Sequence, residues 1–267
     1  MKKKSIAEIV ANKEFELMSR IGKDKNADAY GGNVSYILDD DRTEVLKAED
    51  IPKSVTKIKV RSIINTTKLY DSHGDVHIDQ LWNKSLKDNR KIYLLNKHER
   101  DHANVISRNV HAFTKQIPWI ELGLPFEGNT QALIFDSIID SESMGSNARF
   151  LFDDYRKGYV DQHSVGMKYV ELTLAVNDDR YKEEFKAWEK FFPEVANKED
   201  AFNMGYFWAV TQAKIIEGSA VLMGANYATP TLHVEEKTEP VKATQQEPMK
   251  VTPLAASDLI NFYTIKI

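Results

Sequence analysis

Tyr159 to Val176 reads as the longest strand-like run in the chain, and Gln212 to Met223, a second such run, follows it across a helical stretch. Two long strands joined through helices confine the chain to a mixed α and β fold with sheet at its centre. Shorter runs extend that sheet. Ile58, Val60, Ser62 and Ile64 alternate with Lys59, Arg61 and Ile63, and Lys91 to Asn96 is also strand-like. Between the two long runs, Tyr181, Phe185, Trp188 and Phe192 recur at helical spacing before Pro193. Phe202, Gly205 and Trp208 suggest a second helix, so residues 177–211 read as a helical insertion. Such an aromatic stripe packs a core far more often than it holds a cofactor.

At the N-terminal end, Ser5-Ile6-Ala7-Glu8 has capping-box spacing and predicts a helix from Ser5. Ile6, Ile9, Val10 and Leu17 give it an apolar side, and Gly22 ends it. Residues 23–57 are charged, with Pro52 and short apolar islands, and read as a loosely structured lead-in. Asp71 to Asp79 reads as a polar turn, and Gln80 to Lys87 as a short helix. After Pro230 the composition shifts. Glu235 to Pro253 is rich in Glu, Lys, Thr, Gln and Pro, which predicts a flexible linker before the apolar end at Leu259 to Ile267. Three parts result: an N-terminal helix and lead-in over 1–57, a main domain over 58–232, and a flexible tail over 233–267.

A chain of 267 residues can bury one good core. Its net charge of −4, with the positive residues dispersed, speaks against a nucleic-acid binder, which would carry a basic footprint. It has no cysteine, which excludes disulfides, thiol catalysis and cysteine metal sites and fits an intracellular setting. Glu8, Lys13, Glu14 and Glu16 interrupt any signal-peptide core behind the basic start. No run approaches the roughly 20 apolar residues of a membrane-spanning helix.

Three strand-like segments each carry a residue of catalytic type. Leu94-Leu95-Asn96-Lys97 leads into His98, Ser164 begins an apolar run with Gly166 two residues on, and Glu217 lies in the last run. A histidine, a serine and a carboxylate on separate β segments are the parts of a nucleophilic hydrolase, in which imidazole activates the hydroxyl and an acid fixes the imidazole. Gly166 would let a substrate backbone approach closely. A lone serine in a strand is ordinarily structural, so the order of the segments carries the reading.

Two metal patterns compete. His98-Glu99-Arg100-Asp101-His102 is an H-E-x-x-H string, which on a helix would face two histidines toward one zinc, with Glu121 downstream as a third ligand to consider. Arg100 and Asp101 put two charges at its centre and the run before it is strand-like, so we expect neither helix nor zinc there. Asp71, His73, Asp75 and His77 form the second cluster, which we expect to be a solvated turn.

Taken in order, Asn65, Asp71, Gly74-Asp75, Asp79 and Leu81, then Leu94 to His98, then His163-Ser164-Val165-Gly166-Met167, then Glu217-Gly218-Ser219-Ala220-Val221 and Ala225-Asn226, resemble the tailed-phage prohead (capsid maturation) proteases. The resemblance covers about residues 58–230. The helical insertion lengthens the gap between Ser164 and Glu217, and the proline usual before Ala225-Asn226 is missing. The resemblance implies an α+β fold with an assemblin-like antiparallel β-barrel surrounded by helices, related to the herpesvirus maturation proteases. It implies a serine endopeptidase acting without a cofactor inside the bacteriophage procapsid in the host cytoplasm. Scaffold protein and major capsid protein are the implied substrates, and a homodimer is among the assemblies it allows. By residue, it makes Ser164 the nucleophile, His98 the general base and Glu217 the third member, with His77, His111 and His163 as rivals for that third place. The alternatives are an inactive capsid assembly or scaffolding protein that keeps the protease-like barrel, and a zinc hydrolase using His98 and His102.

Overall fold

The computed structural model describes residues 5–21, 24–25, 55–88 and 90–237. The expected capping box starts the chain: Ser5 Oγ accepts the Glu8 amide and Glu8 Oε2 accepts the Ser5 amide. The helix breaks at Asn12 into α1 (Ile6–Ala11) and α2 (Lys13–Arg20). Ile9 is buried, whereas α2 leaves Phe15 and Met18 to solvent. A two-residue strand, β1 (Asp24–Lys25), follows. Most of the predicted lead-in lies outside the described residues.

The predicted strand near Ile58 is β2 (Lys57–Thr66), and the short helix near Gln80 is α3 (Asn83–Lys87). Asp71 to Asp79 differs from expectation. It contains β3 (Asp75–His77), and all of Asp71, Asp75 and His77 are buried: Asp71 accepts the nearby His73 and Asp75 amides, while partners distant in sequence satisfy Asp75 and His77. Then come β4 (Leu94–Asn96), β5 (Val105–Ser107), β6 (Asn109–Pro118), β7 (Asn129–Asp140) and α4 (Phe150–Arg156). β8 (His163–Val176) is the long run around Ser164. α5 (Lys182–Phe191) and α6 (Lys198–Met204) form the helical stretch, which ends earlier than predicted. Gly205, at φ 78°, closes α6 in the left-handed conformation, so Trp208 belongs to β9 (Tyr206–Ala220). At 15 residues β9, not β8, is the longest strand.

The strands form two sheets. One runs β1-β8-β9-β4-β5, with β3 also beside β9; the other runs β10-β2-β7-β6, where β10 is Thr231–Lys237. Most neighbours are antiparallel, but β3 and β4 both lie parallel to β9, at its two ends. The fold is therefore mixed α+β, and among the described residues no strand pairing closes the sheets into the predicted barrel. Ile58, Val60, Ile64 and Phe135 from the smaller sheet meet Val165, Met167 and Ile215 from the larger one in the main core. The aromatic stripe packs as expected, with Trp188 and Phe191 of α5 against Phe207 of β9. β10 pairs along β2 and Arg156 bonds Glu236, so the boundary expected after residue 232 falls inside a strand. The rest of the predicted linker and the apolar end lie outside the described residues. No described helix is long and apolar enough to cross a membrane.

Candidate functional site

The site is assembled by β9, the central strand, with β8 on one side and β4 on the other. In the β8–β9 ladder Ser164 lies opposite Ser219 and Gly166 opposite Glu217. Alternation then puts all four on one face of the sheet. The register slips just beyond this pair, since Met167 faces Ile215 and Ile216 is passed over. Such a bulge re-aims the side chains next to it.

β4 ends beside the same stretch of β9. Lys97 and His98 then both take left-handed conformations, with φ of 54° and 60°. Two consecutive non-glycine residues there cost roughly 1–2 kcal/mol each, and local bonds hold them. The Lys97 amide donates to Ala220 O at 3.1 Å, and the His98 amide donates to Ser219 Oγ at 3.1 Å. The turn brings the imidazole to Glu217, with Nδ1 2.7 Å from Oε1. Ser219 Oγ donates to the other carboxylate oxygen at 2.7 Å. A carboxylate only accepts, so Nδ1 carries a proton, and in the neutral imidazole the lone pair is then on Nε2. That Nε2 is buried and has no hydrogen-bond partner among the described residues.

Gly166 has a reason the sequence did not show. A Cβ at this position would lie 1.7 Å from Glu217 Oε1. The approach that requires glycine is made by the carboxylate of the histidine pair, where a substrate backbone was expected. Ser164 itself is nearly buried, and its hydroxyl makes no hydrogen bond among the described residues, to His98 or to any other group. Catalytic hydrogen bonds are often long before substrate arrives. Arg100 adds positive charge at the rim, its Nη2 4.0 Å from Glu217 Oε1.

The rival histidines are engaged elsewhere. His163, next to Ser164 in sequence, donates from Nδ1 to Thr229 O at 3.0 Å and accepts the Tyr155 hydroxyl at Nε2, also at 3.0 Å. Burial pushes its pKa down to about 4, against the opposing bond to Thr229. His77 is bonded at Nε2 by Tyr169 and at Nδ1 by Asn65. His111 lies on β6, stacked on Phe113.

The two metal patterns are arranged differently. His98 stands in a left-handed turn, His102 opens a short 3-10 turn capped by Asp101, and His98 Nδ1 is committed to Glu217, so the two histidines share no helix face. Ligand atoms of Asp71, His73 and Asp75 do lie within 4.8 Å of one another. The Arg20 guanidinium already bonds Asp75 Oδ1, Tyr169 bonds Oδ2, and Asp71 Oδ1 accepts two backbone amides.

Ser219, quoted from sequence only as part of a motif, is the residue of this hydrogen-bonded group that was given no role there, and its signal was its place two residues from Glu217 in a strand. No protein-family model, curated protein or solved structure matches the chain.

Proposed function

We propose that the chain is a serine endopeptidase, with Ser164 as nucleophile, His98 as general base and Glu217 as the group that orients the base. One observation carries the reading: His98 is fixed by a 2.7 Å bond to buried Glu217, with its Nε2 buried and unpartnered among the described residues. An imidazole in this state is prepared to take a proton. As the Ser164 hydroxyl attacks a carbonyl carbon, its proton passes to Nε2, and Glu217 stabilises the imidazolium across Nδ1. His98 then returns that proton to the leaving amine, and the acyl-enzyme is hydrolysed by water activated at the same nitrogen. Ser219 keeps the carboxylate and the His98 backbone in register.

The ordered motifs support capsid maturation as the setting, with scaffold protein and major capsid protein as substrates inside the procapsid. In that reading the two packed sheets are the walls of an assemblin-like barrel. The missing bond between Ser164 and His98 favours a second reading, an assembly protein that keeps the fold without the activity. Treatment with a fluorophosphonate probe separates the two. Labelling at Ser164 that is lost in His98→Ala and unaffected by a chelator is the expected result. A folded protein that never labels is an assembly protein, and activity abolished by the chelator alone points to the zinc hydrolase.

A further inference from the structure

The Asp71 to His77 segment belongs to a buried hydrogen-bonded chain running from the N-terminal helices to the neighbourhood of Ser164. Arg20, the last residue of α2, bonds Asp75 Oδ1, stands 5.2 Å over the Trp208 ring and reaches His73 O at 3.4 Å. Asp75 is fully buried, and its Oδ2 accepts the Tyr169 hydroxyl at 2.8 Å. With its proton turned to Asp75, that hydroxyl accepts His77 Nε2–H at 3.0 Å. His77 Nδ1 must then accept from Asn65 Nδ2 at 3.3 Å, and Asn65 Oδ1 accepts Asn226 Nδ2 at 2.7 Å. The Asp75 carboxylate only accepts, so it dictates the direction of the bonds that follow it.

Ser164, Asn65, His73, His77, Tyr169 and Asn226 line one small open-sided cleft of about 20 Å³. The end of the chain remote from Arg20 is therefore a wall of that cleft. α2 buries no residue of its own, with Phe15 and Met18 75% and 72% exposed. A weakly seated helix nevertheless supplies the cation for a fully buried carboxylate. Replacing a buried ion pair by apolar side chains is often neutral or stabilising, so stability alone gives little reason for this arrangement.

We infer that Arg20 is a positioning residue for substrate. Through Asp75 and Tyr169 it fixes the His77 imidazole and the Asn65 and Asn226 amides that form the cleft wall against which a peptide bound at Ser164 lies. The inference rests on the serine endopeptidase reading. No bond in the chain involves Ser164, His98 or Glu217, so breaking it weakens substrate binding and spares the reactivity of the serine.

The test uses the full chain and reads two quantities separately: the rate of fluorophosphonate labelling at Ser164, and kcat and KM for cleavage of purified scaffold protein. Arg20→Gln removes the cation, and Tyr169→Phe removes the central hydroxyl while keeping the buried ring. Both should raise KM about five-fold or more, with labelling and kcat within about three-fold of wild type. Arg20→Lys should fall between, and adding Asp75→Asn to Arg20→Gln should recover part of the loss by neutralising the stranded carboxylate. Wild-type KM in folded Tyr169→Phe overturns the inference, as does a labelling rate that falls in proportion to the rise in KM. A wild-type protein that neither labels nor cleaves scaffold protein defeats the endopeptidase reading itself, a different failure visible before any variant is made.

Discussion

Ser164, Gly166 and His98 ask different things of their side chains, and single substitutions separate them. Ser164→Ala deletes a hydroxyl that makes no hydrogen bond among the described residues, so the fold loses little while the nucleophile is gone. Hydrolysis should fall by about three orders of magnitude or more with an unchanged melting transition; wild-type cleavage by the folded variant would remove Ser164 from the mechanism. Gly166→Ala acts through sterics. Its methyl group would sit 1.7 Å from Glu217 Oε1 and must push the carboxylate off His98. Overpacking of this kind costs about 1–3 kcal/mol. The larger loss should appear in fluorophosphonate labelling, because the base is no longer oriented, and labelling at the wild-type rate would show that the Glu217–His98 bond is dispensable. His98→Ala should match Ser164→Ala, whereas His102→Ala should be mild, since His102 only opens a 3-10 turn. Equal losses in these two variants, measured as peptide hydrolysis, would favour zinc over serine.

β10 shows what sequence composition conveys about an element and what it hides. Its last residues, Glu235 to Lys237, are charged, as suits an edge strand, and that composition reads as the start of a linker. Its ladder with β2 and the Arg156–Glu236 ion pair tie it to the sheet. A chain ending at Pro230 should therefore melt several degrees below one ending at Lys237, compared by thermal unfolding; coincident transitions would show that β10 adds nothing to the fold. The same physics explains the other differences. β2 and β8 were legible because a strand with a buried face shows its apolar residues to simple inspection. β6 is a half-exposed edge with mixed polarity, and β7, largely buried with a continuous Ala132 to Phe135 run, has no clear period, so neither announced itself. Order and residue type singled out His98, Glu217 and Ser164; the structure bonds the first two to each other, and puts Ser164 on the same sheet face as Glu217 without a bond to either. The demand for glycine at Gly166 and the part played by Ser219 were not legible, because both arise from cross-strand register. Asp75 and His77 were misread as solvated because Arg20 and Tyr169, their partners, are remote in sequence.

At the scale of the whole molecule, His163 is where acid should be felt first. It pairs with Ala220 in the larger sheet, bonds Thr229 just ahead of β10 in the smaller one, and accepts the Tyr155 hydroxyl from α4. Three parts of the fold thus meet on one neutral imidazole. Burial holds its pKa at about 4, below the ordinary value of 6.5 that an unfolded chain restores. Between those values the unfolded state binds the extra proton and the native state does not, so stability rises with pH across this window and falls on acidification. The shift corresponds to roughly 3 kcal/mol, lost progressively from pH 6.5 and fully lost below pH 4. His163→Gln places a group that stays neutral at every pH between the same partners. The variant should start less stable at pH 7, because its amide fits the Thr229 and Tyr155 contacts less well, yet it should lose less on going to pH 4.5. Denaturant unfolding of both proteins at pH 7, 5.5 and 4.5 measures the difference directly. Parallel decline of the two would mean that other groups govern the acid response and that the buried imidazole does not couple the sheets to pH.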